Sequence, residues 1–139
     1  MARQTFTAGQ VLTAAQVTTL QASVWSDDVN AQTTSYTLVL TDAGKQVTMT
    51  SASATTITVP LNSSVAYATG VRITLINLGA GVVTVAGAGG VTVSNASLDL
   101  SLNQYAVGTL YKTGTDSWVL LRGMDTDDDQ AILSSQIFG

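Results

Sequence analysis

Residues 98–122 read LDLSLNQYAVGTLYKTGTDSWVLLR, and this stretch decides the fold class. Apolar and polar residues alternate through residues 98–102, and the runs 105–112 and 117–122 are rich in β-branched, aromatic and aliphatic residues. Runs of this kind bounded by Asn, Gly, Ser and Asp are typical of short β-strands joined by turns. Residues 113–116 therefore predict a hairpin between the last two strands.

The same pattern continues toward the N-terminus. A strand that approaches Pro60, the only proline, is expected to stop there, because a central strand does not tolerate proline. Further strands are predicted at residues 36–40, 45–50, 56–59, 71–76, 82–85 and 91–93, with residues 79–81 forming the turn into residue 82. About eight or nine short strands without helical patterns between them predict an all-β fold, either an antiparallel sandwich or a small barrel.

Composition divides the chain into three parts. Residues 1–35 form an N-terminal arm, residues 36–123 the β body, and residues 124–139 an acidic hinge followed by an apolar C-terminal docking tail. Thr13 and Gln16 make a capping-box pattern that predicts the start of a short helix over about residues 13–25. Because three turns of helix are marginal alone, its apolar stripe is expected to dock either on the chain's own body or on a neighbouring subunit or larger assembly. The tail has the same two alternatives.

The composition argues against most functional classes. Only 10% of the residues are charged, against about 25% in typical domains. The chain has no His, Cys or Glu and carries a net charge of −4, so we expect no metal site, no cofactor, no enzymatic activity and no nucleic-acid partner. No apolar run approaches the length of about 18 residues that a membrane span requires, so no membrane association is expected.

Few residues suggest site chemistry. Asp125, Asp127 and Asp129 match the start of a calcium loop, but Gln130 and Gln136 stand where that loop needs Gly and Glu. A carboxylate pair for glycoside hydrolysis would have to combine Asp27 with Asp28 or Asp99 with Asp116, and no spacing singles either pair out. An exposed aromatic side chain such as Tyr67 or Tyr111 is the candidate for contact with a host glycan.

Low charge also bears on assembly. Monomeric sheets usually protect their edges with charged residues, especially Lys, and this chain has few. Either copies of the chain or a host structure cover the edges and apolar faces, or hydroxyl side chains and short strands keep a monomer soluble. The interface residues expected from the arm and the tail are Phe6, Val11, Leu12, Val17, Leu20, Val24, Trp25, Ile132, Leu133, Ile137 and Phe138.

Two stretches resemble proteins of bacteriophage virions. Residues 5–24, TFTAGQVLTAAQVTTLQASV, resemble the F-x-A-G-x-V-L-T-A opening of phage minor tail, tail-fibre and other virion proteins, with Thr18 where that pattern usually has Asn. Residues 36–49, 56–60 and 70–76 resemble a small β module of phage tail fibres, head fibres and surface proteins. Together the two cover most of residues 5–122.

The resemblance implies a structural protein that forms a homo-oligomer, commonly a trimer. It implies assembly in the host cytoplasm and display on the particle surface, with the major capsid protein or tail proteins as partners. Because the chain has no shaft-forming segment, a capsid decoration or minor capsid protein is favoured. The alternative is a tail-tip or fibre-head module that binds a host receptor or glycan.

Overall fold

The computed structural model describes residues 7–18 and 28–123. Ten strands and one 3₁₀ turn follow one another along the body. They are β1 (Val29–Gln32), β2 (Tyr36–Thr37), the 3₁₀ turn (Leu40–Asp42), β3 (Gln46–Met49), β4 (Thr55–Val59), β5 (Arg72–Asn77), β6 (Val83–Gly87), β7 (Thr92–Ser94), β8 (Ser101–Leu102), β9 (Val107–Gly114) and β10 (Ser117–Arg122).

The strands form two sheets, which confirms the prediction of an all-β sandwich. One sheet has six strands in the order β1-β3-β5-β9-β10-β7, and the other has four in the order β2-β4-β6-β8. Between them lies one apolar core, in which Leu38, Met49, Leu75, Leu110 and Trp118 are almost completely buried. Alternation sends successive side chains of a strand to opposite faces, so each strand supplies every second residue to this core.

The antiparallel arrangement expected from the sequence is wrong for most of the sandwich. Among the described strands, five of eight pairings are parallel, and only β5–β9, β9–β10 and β6–β8 are antiparallel. From β1 to β6 the chain crosses to the other sheet after every strand, and each of the strands β1 to β4 pairs with the strand two places later. Turn residues mark where a strand ends and carry no information about which strand it then pairs with.

Two successive turns of the chain between the sheets span the same number of residues. Gln46 pairs with Thr74 in one sheet and Thr55 pairs with Val83 in the other, an offset of 28 residues in both. The corner after β5 therefore stacks directly on the corner after β3. A Cβ atom added to Gly81 would lie 2.1 Å from the carbonyl oxygen of Ser53, so the two main chains touch and only glycine fits.

The Asn77 side chain holds the corner after β5 in place through hydrogen bonds inside the core. This side chain is fully buried, donates to the carbonyl oxygens of Gly81 (2.8 Å) and Leu102 (2.9 Å), and accepts from the N–H of Gly79 (3.0 Å). Three bonds from one buried amide satisfy main-chain groups that would otherwise be unpaired in the core. The predicted turn at residues 79–81 is present, but it carries the chain across the core instead of closing a hairpin.

The boundary between arm and body lies earlier than expected. Residues 29–32, which the sequence places in the arm, form the edge strand β1 and pair with β3. The inward side of β1 is polar, and its Asn30 donates to the Asp42 carboxylate (2.8 Å), which also accepts from the Tyr36 hydroxyl (2.9 Å). Asp42 is buried, so a hydrogen-bonded polar cluster closes this end of the core.

The start of the N-terminal helix agrees with the sequence. Residues 14–18 are helical, Gln16 N–H donates to Thr13 Oγ1 (3.2 Å) and Thr13 N–H donates to Gln16 Oε1 (2.9 Å). These reciprocal bonds are the capping box that the two residues predict. The expected end of the helix near residue 25 lies outside the described residues, and so does the predicted tail at 124–139.

Candidate functional site

Three of the interface residues predicted from the arm fall in the described part of the chain. Val11, Leu12 and Val17 are all exposed, and Val11 keeps 85% of its surface accessible. Within one chain these side chains are therefore available for contacts with another surface. The other predicted interface residues lie outside the described residues: Phe6, Leu20, Val24, Trp25, Ile132, Leu133, Ile137 and Phe138.

The outer side of the six-stranded sheet is a candidate interaction surface. We call it the apolar face and define it by the outward apolar residues Val29, Ala31, Ile76, Val107, Tyr111, Val119 and Leu121. Arg72 is the single charged residue that strand alternation directs outward among the described strands of this sheet. A sheet face so poor in charge is unusual for a surface that remains in water.

Strand register joins these residues into continuous rows. Ala31 pairs with Thr48, Thr48 with Ile76 and Ile76 with Val107, which makes a row across four strands. Directly paired side chains have Cβ atoms about 5 Å apart, so members of a row contact one another. Tyr111 and Val119 are paired in another row. Between these two rows the register aligns Val29, Gln46, Thr74, Thr109 and Leu121, so the apolar residues share this outer side with uncharged Gln and Thr.

Two loops beside this sheet hold exposed apolar side chains in a strained backbone. Leu98 has φ 60° and Tyr105 has φ 65°, and they are 92% and 73% exposed. Left-handed backbone at a residue other than Gly costs about 1 kcal/mol or more, and such strain concentrates at functional sites. Tyr105 is held in place by its N–H, which donates to the carbonyl oxygen of Asn77 (2.6 Å).

The carboxylates do not form the dyad considered for glycoside hydrolysis. Asp99 is bound at one end of β10, where Arg122 contacts it, and Asp116 immediately precedes the other end. Six strand residues span roughly 20 Å, whereas glycosidase carboxylates are about 5–10 Å apart. Asp27 lies outside the described residues. Among residues 7–18 and 28–123 no group of three His, Cys, Asp or Glu could hold a metal ion.

Asp99 instead anchors a loop electrostatically. Hydrogen bonds from Ser101, followed by the Arg122 guanidinium, lower the pKa of the Asp99 carboxyl to about 2. The Oδ1 atom of Asp99 accepts hydrogen bonds from the Ser101 N–H (2.9 Å) and from the Ser101 hydroxyl (2.7 Å). The carboxylate is exposed, so solvent screening limits the energy of this ion pair.

The choice of Tyr67 as an exposed aromatic for glycan contact is wrong. Tyr67 is buried, and its ring packs edge to face against Trp118 with centroids 5.4 Å apart. Its hydroxyl donates to the carbonyl oxygen of Val39, and burial raises the pKa of this phenol far above its usual value. The aromatic pair contributes to the core. Tyr111, the other candidate, is half-buried on the apolar face.

Beside this aromatic pair lies a buried cation that sequence reasoning did not single out as a site. Lys112 is only 3% exposed, and its Nζ atom donates to Asn62 Oδ1 (2.5 Å) and to the carbonyl oxygen of Tyr67 (2.8 Å). Nζ also lies 5.8 Å from the centroid of the Trp118 ring. Asp116 Oδ1 accepts from the main-chain N–H of Asn62 (2.7 Å). The sequence does contain a signal for the burial of Lys112, because alternation along β9 places it on the same inward side as Leu110.

The comparisons with known proteins add no assignment: a scan against protein-family models, a search of curated proteins and a search of solved structures each found no match. Within the described residues, no helix is long and apolar enough to cross a membrane.

Proposed function

We propose that this chain is a non-enzymatic structural protein of a bacteriophage virion. In this proposal it is a surface-exposed capsid decoration or minor capsid protein that assembles as a homo-oligomer, with a trimer favoured by the resemblance. The arm and the tail attach it to the major capsid protein or to tail proteins. The resemblance of residues 5–24 and of the β module to virion proteins supports the class.

The proposed homo-oligomer rests on one observation, the charge-poor apolar face. Three copies of this face that meet around a three-fold axis would each bring one charged side chain of the described strands, Arg72. Exposed Val107 and Leu121 lie on this face, so a contact between copies removes apolar area from water. Covering the face also removes the aggregation hazard of a charge-poor sheet.

The test is to locate the chain on purified particles of the phage that encodes it. Cryo-electron microscopy with a tag inserted at Gly89, an open position in an exposed loop, should show regularly spaced multi-copy density on the head surface. Density at the tail tip would instead support the alternative of a fibre-head module. Particles that contain none of this chain would contradict both.

One observation favours the alternative of receptor or glycan binding as a second candidate. Tyr105 combines high exposure with a left-handed backbone, which is the arrangement expected of an aromatic side chain presented to a ligand. Replacement by Ser should then abolish adsorption to host cells while leaving the oligomer intact. Unchanged adsorption would remove this candidate and leave the decoration role unaffected.

A further inference from the structure

We propose that Lys112 and Asn62 form an intramolecular isopeptide bond, which covalently joins strand β9 to the crossover segment between β4 and β5. This inference does not depend on the proposed function. It rests on the atoms around Lys112 Nζ, on the burial of Lys112 and on the absence of a counter-charge among its hydrogen-bond partners in the described part of the chain.

The first argument is proximity. Lys112 Nζ lies 2.5 Å from Asn62 Oδ1, and the carbonyl bond of an amide is about 1.23 Å long, so Nζ lies within about 3.7 Å of the Asn62 Cγ atom. Reacting atoms held about 3–3.5 Å apart react as if at very high effective concentration. The second bond of Nζ, to the carbonyl oxygen of Tyr67, restrains the amine on its other side.

The second argument is electrostatic. Both acceptors of Lys112 are neutral, one being a side-chain amide and the other a main-chain carbonyl. Burying an ammonium whose acceptors are both neutral is unfavourable, and cation–π attraction to Trp118 offsets only part of this. Conversion of the amine and the carboxamide into a neutral secondary amide removes the buried charge entirely.

The reaction is balanced without an oxidant or co-reactant. The Lys112 ammonium releases one proton to water, and the neutral amine then forms a bond from Nζ to Cγ of Asn62. The Cγ–Nδ2 bond breaks, and Nδ2 takes a proton from Nζ and leaves as ammonia, which binds the proton released at the start. The products are one amide between the two side chains and one ammonium ion.

Asp116 acts as a positioning residue in this proposal. Its carboxylate accepts from the main-chain N–H of Asn62 at 2.7 Å and so fixes the residue whose side chain is attacked. Asp116 belongs to the turn that follows β9, four residues after Lys112. The same hairpin therefore positions the Lys112 amine and, through Asp116, holds Asn62. The amine itself is buried beside the Tyr67–Trp118 aromatic pair.

Such a bond has a structural consequence. It closes a loop from residue 62 to residue 112 that contains strands β5 to β8 and most of β9. Cross-links that close long loops restrict the unfolded chain and so favour the folded state. This chain has no Cys, and an amide link of this kind would resist reducing agents.

The experiment is mass spectrometry of the purified full chain after prolonged incubation in its folded state. We expect an intact mass lower than that of the sequence by one ammonia molecule, and a branched peptide that joins Asn62 to Lys112 after proteolysis. The Lys112→Met variant should keep the full mass. An unmodified wild-type mass, or ammonia loss that persists in Lys112→Met and so reports cyclisation of an Asn on its own main chain, would overturn the proposal.

A second variant keeps the test valid if Lys112→Met fails to fold. Asn62→Ala leaves the lysine in place and should also keep its full mass, with folding of both variants checked by circular dichroism. The role of Asp116 is tested separately by the fraction of linked chains. Asp116→Ala should slow linkage by about a hundredfold if Asn62 is misplaced by about 1 Å, and Asp116→Asn, which keeps an acceptor, should restore it. Linked chains that accumulate in Asp116→Ala as fast as in the wild type would contradict the positioning role.

Discussion

The Gly81→Ala substitution tests the stacked corners of the sandwich most sharply. The new Cβ atom would lie 2.1 Å from the carbonyl oxygen and 2.3 Å from the carbonyl carbon of Ser53, whereas ordinary contacts begin near 3.4 Å. Because both partners are main chain, the two corners must separate by about 1 Å instead of a side chain rotating away.

The cost follows from two hydrogen bonds at this corner. Gly81 N–H donates to the Ser51 carbonyl oxygen (2.9 Å), and the Gly81 carbonyl oxygen accepts from Asn77 Nδ2 (2.8 Å). Each lost bond costs about 1 kcal/mol, and each buried group left unpaired costs about 1–3 kcal/mol. We therefore expect the free energy of unfolding to fall by about 3 kcal/mol, which lowers the melting temperature by more than about 10 °C in a body of this size.

Guanidinium denaturation followed by circular dichroism measures this change, and Gly89→Ala is the matched control. Gly89 has open space where a Cβ would be placed, and its φ lies outside the left-handed range. The control should change the free energy of unfolding by less than about 1 kcal/mol, and a small stabilisation is the expected sign. If Gly81→Ala is as stable as Gly89→Ala, the stacking of the two corners is not as described.

Three further predictions concern charge and ionisation. Because the pKa of Asp99 is lowered, its carboxylate stabilises the fold above pH 4, and this contribution is lost as pH falls through about 2. Asp99→Asn should therefore be less stable than wild type at pH 7 and equally stable below pH 2. Thermal melts at both pH values measure this difference. The raised pKa of Tyr67 means that stability is lost as pH rises above 10, where the unfolded phenol ionises first. Tyr67→Phe should cost about 1 kcal/mol at pH 7 through the lost bond to Val39 and flatten this alkaline loss, as denaturant titrations from pH 8 to 12 will measure. Val107→Lys on the apolar face should dissociate the oligomer in light scattering, while Thr84→Lys, an exposed change on the other sheet, should not; equal behaviour of the two would contradict the proposed interface.

The strands themselves were largely predictable from the sequence. The run 117–122 coincides with β10, and Trp118 and Leu120 are buried as its alternation requires. The hairpin between β9 and β10 forms where Gly114 and Asp116 predict a turn. The Thr13–Gln16 capping box was also predictable, because its hydrogen bonds depend only on residues three apart.

Strand pairing was not predictable, because it depends on contacts far apart in the sequence. Gly79 and Gly81 have the same local signature in a hairpin as in a crossover. What sets the crossover is the fit of that corner against Ser51 and Ser53, and nothing near residue 80 in the sequence reports it. Equal corner lengths after β3 and β5 become visible only when the strands are already in register.

Strand β1 and the Lys112 environment escaped prediction for another reason, namely that polar residues occupy inward positions. Asn30 faces inward on β1, where its bond to Asp42 replaces apolar burial, and the apolar residues Val29 and Ala31 face outward, so the alternation has the opposite sense to that of a core strand. Lys112 breaks the apolar pattern of β9 in the same way, and its partner Asn62 is fifty residues distant. Alternation shows which residues share a side of a strand, but it does not show which distant side chain a polar residue will bind in the folded chain.

The central claim is that copies of this chain cover the apolar face of the six-stranded sheet. Sedimentation equilibrium of the full chain at micromolar concentration tests it directly, because the mass of one chain is 14.3 kDa. We predict a single species with the mass of three chains that does not dissociate on tenfold dilution. A stable species with the mass of one chain, soluble at high concentration, would contradict the claim.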